Sequence, residues 1–333
     1  KQPGAILKNV TVFATHDSEC HELTAENEQI HTRIVPELAC NHEEADTRLF
    51  LHCKYAATHQ PPCSDAAPHP VLIKSPDTDV FVIGVAMAAD IEAEVLFHTG
   101  RGNNRRTLNL SKISRYLGPD VCRALIPFHC FTGCDTVSSF HGKSKSKAFK
   151  LLVNDTETHA TFHEMGSSFV VSDQLMKNAE KLVCKLYGQT CDTVNEARYK
   201  LFMLTKAETH LPPSADSLKK HLMRANYQAA IHSKCLQQFP ECPSPNGHGW
   251  KLVDSEINID WGDLPPAPSS LLELTNCSCK KTSCEKSASG KGRSRCSCQQ
   301  HGIPCTELCR CVNCRNSISA KEVESDEEDS DGE

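Results

Sequence analysis

The chain is poor in aromatic residues, 6% of 333 positions with only two tryptophans. Nowhere does an unbroken apolar run approach the ~18 residues that a membrane-crossing helix needs, which excludes a helical span. No signal-peptide pattern opens it. It begins at Lys1 without a methionine, so its natural start is expected upstream. With 39% apolar residues it can hold one substantial globular domain and smaller modules. Charge of one sign is also missing overall: 36 basic residues against 42 acidic ones leave a net charge of −6.

Cysteine is what the chain has in abundance. Nine of its 20 cysteines are Cys277, Cys279, Cys284, Cys296, Cys298, Cys305, Cys309, Cys311 and Cys314. Lys, Arg, Ser, Thr and Gln lie between them, so they cannot be a hydrocarbon core. Nine is odd, and Cys-x-Cys neighbours are badly placed to bridge each other, which argues against disulfides. A soft divalent metal satisfies them, with tetrahedral, sulfur-bound Zn²⁺ as the default. Three such ions need twelve contacts, and six terminal plus three bridging thiolates supply them. The other eleven cysteines are irregularly spaced and read as small buried apolar groups. Cys130 and Cys134, with His129 and His141 nearby, are an alternative second metal set.

The ladder, with Gly302 before Cys305 and the closing Cys314-Arg315-Asn316, resembles the CXC (tesmin/TSO1-like) DNA-binding domain over about forty residues. Two features depart from that family. The spacer between the third and fourth cysteines is lengthened to Glu285–Arg295, and Arg295 stands where members often carry a groove-inserting aromatic. An Arg can itself enter a narrow, electronegative minor groove. The resemblance implies about three zinc ions, DNA as partner and a nuclear location.

Charge within the module agrees. Lys280, Lys281, Lys286, Lys291, Arg293, Arg295, Arg310 and Arg315 face only Glu285 and Glu307, whereas residues 317–333 hold eight acids and one lysine. A polyanion-binding module therefore sits inside an acidic chain. The acidic tail reads as a solvated end or as a phosphate mimic that folds over the cluster.

Residues 1–155 alternate apolar runs with amphipathic stretches. Short β-runs are expected at Val10–Phe13, Val71–Ile73, Val80–Ile83 and Val95–His98. Helices are expected over His42–Ala57, Leu108–Leu117 and Val121–Phe128. This alternation predicts an α/β fold with a mainly parallel sheet and flanking helices, whose ligands lie at the carboxyl ends of strands. Acids gather at such positions: Glu43, Glu44 and Asp46 open a helix, Asp77 and Asp79 follow a strand, and Asp135 follows a helix. Each alone can be a cap or a partner of a helix dipole.

Together and in this order, Glu44-Ala45-Asp46, Asp77-Thr78-Asp79 and Gly133-Cys134-Asp135 resemble the flap-endonuclease branch of the PIN-like nucleases, over about residues 38–152. The resemblance implies Mg²⁺ or Mn²⁺ held by Glu44, Asp46, Asp77, Asp79 and Asp135 for two-metal phosphodiester hydrolysis. It also places Phe140–Lys150 where that family has a helix–two-turn–helix, with Lys143, Lys145, Lys147 and Lys150 on the DNA backbone. The family's first metal-binding Asp has no secure counterpart, since Asp17 lies close in sequence to the Glu44 helix.

Residues 156–265 read as a helical extension, with helices expected at Leu175–Leu186, Glu196–Thr205 and Leu218–Phe239. Trp250 and Trp261 flank a short β-like stretch. Residues 266–276 form a Pro-rich linker to the zinc-cluster domain, 277–316, and 317–333 the acidic tail. Two functions remain open: a metal-dependent nuclease with a zinc-cluster DNA-targeting module, or a non-catalytic DNA-binding scaffold. The combination suits a protein derived from a mobile element.

Overall fold

The computed structural model describes residues 10–27, 29–60, 68–205, 210–264, 276–279, 284, 296–300, 303–306, 309–311 and 316. Contacts divide the chain into two compact units, one running to Gly262 and one starting at Asp263.

The first unit opens with an antiparallel meander, β1 (Val12–His16), β2 (Glu19–Glu26) and β3 (Gln29–Ile34). A small cluster of Cys20, Val35, Leu38, Cys40 and Leu51 anchors it to α1 (Ala45–Thr58). Asp17 lies in the β1–β2 turn at φ 49°, and its carbonyl accepts a hydrogen bond from Arg48, so the residue serves the turn.

A second sheet combines β4 (Val71–Lys74), β5 (Val95–Thr99) and β6 (Arg106–Asn109). The β4–β5 pair is parallel, Val71 opposite Val95, and β6 returns antiparallel, Phe97 opposite Leu108. Among the described residues this is the single parallel pair between strands, so the expected mainly parallel sheet gives way to small mixed sheets. The cause lies at Val80–Ile83. This run forms α2 (Thr78–Met87) rather than a strand, because Asp77 accepts the Asp79 N–H at 2.8 Å and caps a helix there. Short apolar runs fit either element, and the cap decides. Likewise Leu108 belongs to β6, and α3 (Leu110–Leu117) starts only after the Asn109 cap.

The centre is α4 (Pro119–Thr132), buried at every residue from Ala124 to Thr132. A helix apolar on all sides must be enclosed. It is covered by α2, α3, α5 (Lys145–Asn154), α6 (Thr156–Glu164) and α9 (Ala215–His232). α7 (Asp173–Leu186) and α8 (Val194–Thr205) complete the helical layer. Ser144, Asp155, Ser172 and Ser214 cap α5, α6, α7 and α9 with their side-chain oxygens, which explains where these helices begin. One hydrophobic core runs from Phe50 to Cys235, so the helices after residue 155 share it with the sheet. Gly133 ends α4 at φ 116°. A Cβ there would meet Ser139 at 2.8 Å, so the turn carrying Cys134 and Asp135 needs glycine. A hairpin of β7 (Trp250–Val253) and β8 (Glu256–Ile259) closes the unit.

Candidate metal centres

In the second unit Cys277, Cys284, Cys296, Cys298, Cys305 and Cys309 are buried, with Ile303 packed against them. Polar sequence surrounds these thiols, so burial is imposed by the sulfurs themselves. With the half-buried Cys279 and Cys311 they form three sets of four whose Sγ atoms all lie within 4.8 Å: Cys277–Cys279–Cys284–Cys296, Cys277–Cys305–Cys309–Cys311 and Cys277–Cys296–Cys298–Cys305. Adjacent sulfurs are 3.7 Å apart for Cys277–Cys284 and Cys277–Cys311. Cys277–Cys305 and Cys296–Cys305 are 3.9 Å apart, and Cys298–Cys309 3.6 Å. A ZnS₄ tetrahedron with 2.3 Å bonds has edges of about 3.8 Å, whereas a disulfide would bring sulfurs to about 2.05 Å. The spacing and donor type fit zinc.

The three sets overlap. Cys296 and Cys305 occur in two sets and Cys277 in three. Cys314 lies outside the described residues, as do Lys280, Lys281, Lys291, Arg293 and Arg295. Arg310 is described and exposed, and its backbone N–H bonds the Cys277 carbonyl at 3.0 Å.

The backbone is arranged for thiolates. Cys277 N–H points to Cys309 Sγ at 3.4 Å, and Asn316 Nδ2 to Cys305 Sγ at 3.4 Å. Asn316 also donates to the Ile303 carbonyl at 3.0 Å and accepts from Cys305 N–H at 2.7 Å, which accounts for the terminal Cys-x-Asn. Burial would raise the Cys309 thiol, but the N–H groups of Cys277 and Thr306 and the neighbouring Cys298 outweigh it and bring it to about 7.

In the first unit, the N-termini of α1 and α2 bring Glu44, Asp46, Asp77 and Asp79 into one electrostatic neighbourhood, just past the carboxyl end of β4. Burial and then the charges of Asp77, Asp79 and Glu44 push the Asp46 carboxyl upward. Asp79, 8% exposed, accepts a 2.7 Å hydrogen bond from His129 Nε2, which holds its carboxyl below the usual range against burial. His129 Nδ1 in turn accepts from Lys145 Nζ at 2.7 Å, fixing the tautomer, since an ammonium only donates. Glu44 sits 3.4 Å from His232 Nε2, whose hydrogen bond lowers its carboxyl, and 3.3 Å from Gln228 Nε2.

Several expectations change here. Lys145 turns inward to His129, while Lys147 and Lys150 remain exposed on α5 and Lys143 lies over the Tyr187 ring at 4.1 Å. Asp135 is exposed in the turn after α4 and makes no described contact with the other acids. His129 serves Asp79 and His141 is exposed, so these histidines do not join Cys130 and Cys134 as ligands. Cys134 is nonetheless distinctive, because a hydrogen bond from Cys130 outweighs burial and lowers its thiol to about 6. Among the described residues, metal-ligating side chains gather in threes or more only in the cysteine sets. His232, 1% exposed, and Gln228 carried no sequence signal, since Glu44 lies 188 and 184 positions away.

No family model matches the chain, and no curated protein or solved structure matches it.

Proposed function

We propose that this chain is a nuclear DNA-binding protein. A zinc cluster holds DNA, and an acidic site in the core hydrolyses phosphodiesters with Mg²⁺ or Mn²⁺. The observation that carries the reading is the overlap of the three four-cysteine sets at Cys277, Cys296 and Cys305. If Cys314 replaces Cys277 in one set, three bridging and six terminal thiolates satisfy three tetrahedral ions. The segment that carries these cysteines also carries eight basic residues against two acids, which suits a phosphate backbone. Its resemblance to CXC domains points the same way.

For the core, Glu44, Asp46, Asp77 and Asp79 offer the hard oxygen donors these cations prefer. Mg²⁺ commonly keeps several waters and takes only one or two carboxylates directly, so an open cluster suits it. A bound cation would supply activation of water and stabilisation of phosphate charge. His129 and Lys145 hold Asp79 ionised and oriented, and His232 with Gln228 does the same for Glu44. One observation favours the alternative, a non-catalytic scaffold: among the described residues the core acids do not converge into a set of three with ligand atoms within 4.8 Å.

Incubating the zinc-loaded chain with single-stranded and branched DNA, with and without Mn²⁺, decides between them. Metal-dependent cleavage that Asp79→Asn abolishes while DNA affinity persists is the expected result. Binding without any cleavage by the wild type would leave the scaffold, and absence of DNA binding would end both readings.

A further inference from the structure

Two cavities in the first unit have opposite electrostatic character. The larger, about 690 Å³, adjoins the acids and is lined by Glu43 and Glu44, which disfavours an anion. The smaller, about 430 Å³, lies between the turn after α4 and the start of α9, and no acidic side chain lines it. Its walls carry Arg198, His141, Ser139, Ser214, Tyr187 and Trp261. This volume falls in the range of ~300–1,000 Å³ usual for small-molecule sites. None of these residues belongs to the zinc cluster or the acidic site.

Trp261 is the telling member. It is 72% exposed, yet its backbone is held by buried chemistry. Its neighbour Asp260 pairs with Lys220 Nζ at 2.7 Å and with Lys251 Nζ at 2.8 Å. Arg224 Nη1 donates to the carbonyls of Gly249 at 3.0 Å and Asp260 at 3.1 Å. Gly249, at φ +90°, permits this approach, because a Cβ there would lie 2.6 Å from the Lys220 carbonyl. An isolated exposed apolar residue is ordinary. A large aromatic fixed from below by ion pairs and set beside a cationic, hydroxyl-rich cavity is a stacking surface.

The rest of the cavity suits phosphate. Arg198 bonds the Pro212 carbonyl through Nη1, which sets the plane of its five-donor fork. Lys143 lies 4.1 Å from the centre of the Tyr187 ring, and the exposed Lys147 and Lys150 extend the positive charge along α5. His221 is wall rather than ligand: Nε2 donates to the Phe131 carbonyl at 2.8 Å, and Nδ1 faces the Ser138 hydroxyl at 3.5 Å. The Asp216 carboxylate lies against Gly262, on the far side of Trp261 in the chain from Asp260.

We propose that this cavity binds one nucleotide of single-stranded DNA, its base stacked on Trp261 and its phosphate held by Arg198, His141 and the serine hydroxyls. The inference shares with the proposed function only the class of partner. It places a second nucleic-acid contact on the core, selective for unpaired bases because a base inside a duplex cannot offer its face to Trp261.

The test uses the full zinc-loaded chain with Trp250→Phe, which leaves Trp261 as the sole tryptophan, titrated with an eight-residue oligothymidylate. Saturable quenching is expected, weakened about tenfold by Arg198→Ala and retained when Arg293 and Arg295 are both replaced by alanine. Should Trp250→Phe not fold, anisotropy of the labelled oligonucleotide on the otherwise unaltered chain gives the same answer, with Trp261→Ala expected to cost about tenfold. Unchanged affinity in Trp261→Ala and Arg198→Ala, with DNA still bound, overturns the inference and leaves the zinc-cluster reading standing. Equal quenching by an acidic peptide of the same charge overturns it in favour of a peptide site. Persistence of the Trp261 response in a chain whose duplex binding is absent supports the cavity and removes the zinc-cluster reading instead.

Discussion

The unit ending at Gly262 and the unit beginning at Asp263 bury opposite chemistries. The first closes around hydrocarbon: Phe131 is 1% exposed and meets Phe162 edge to face with ring centres 6.0 Å apart, and Leu218 and Leu222 of α9 are fully enclosed. The second closes around sulfur, with six buried cysteines and one neighbouring Ile303. A hydrocarbon core draws its stability from area removed from water, summed over many elements. A sulfur core draws it from a few metal bonds and has almost nothing to fall back on. The two units should therefore fail under different insults.

The largest effect expected is that of zinc removal. Structural zinc in small modules contributes roughly 10–16 kcal/mol of apparent binding energy that is also folding energy. Elemental analysis of the reduced protein should return about three zinc ions per chain. Chelation should then abolish hydrogen-exchange protection at Gln300, Ile303, Cys305, Cys309 and Arg310 while the first unit melts at its former temperature. One zinc or none would remove the sulfur core from the comparison. The converse insult is Phe131→Ala, which opens a cavity beside Phe140, Phe162 and His221. It should cost about 3–5 kcal/mol and lower the melting temperature of the first unit by roughly 10 °C. The zinc content should not change. Loss of zinc in parallel with melting would mean that the two units fold as one cooperative body.

The same contrast explains what could be read in the sequence. The nine cysteines recur within 38 residues, so spacing alone exposes the ladder as a candidate metal site. α1 was legible from the helical spacing of its buried face, and α4, β4 and β5 from apolar runs bounded by Gly, Pro and polar breaks. Val80–Ile83 was not, since four consecutive apolar residues are too few to show a period, and the Asp77 cap marks the run as helix. The acids at 44 and 46 announced themselves at a helix start, and those at 77 and 79 at the end of a strand. Their supports did not: His129 reaches Asp79 across 50 residues and His232 reaches Glu44 across 188. The resemblance to the nuclease family assigns Lys145 to a phosphate, yet packing turns it onto His129.

The smallest expected effect asks whether the first unit also depends on a cation. Asp46 is half-buried, and burial followed by the charges of Asp77, Asp79 and Glu44 raises its folded-state pKa, opposed by His232. Raised in the fold, the group favours folding while protonated. That contribution is complete below the unfolded pKa of about 3.9 and is lost as pH climbs through the higher folded value. At neutral pH ionised Asp46 is thus a liability, and Asp46→Asn should raise the melting temperature of the first unit by about 2 °C. The gain should fade on acidification toward pH 4, where the wild-type carboxyl is itself neutral. A divalent cation bound among these acids relieves the same repulsion, so Mn²⁺ should stabilise the wild type more than Asp46→Asn. Equal stabilisation of both by Mn²⁺ would place the ion elsewhere. Destabilisation by the substitution at neutral pH would show that Asp46 helps hold the α1 terminus.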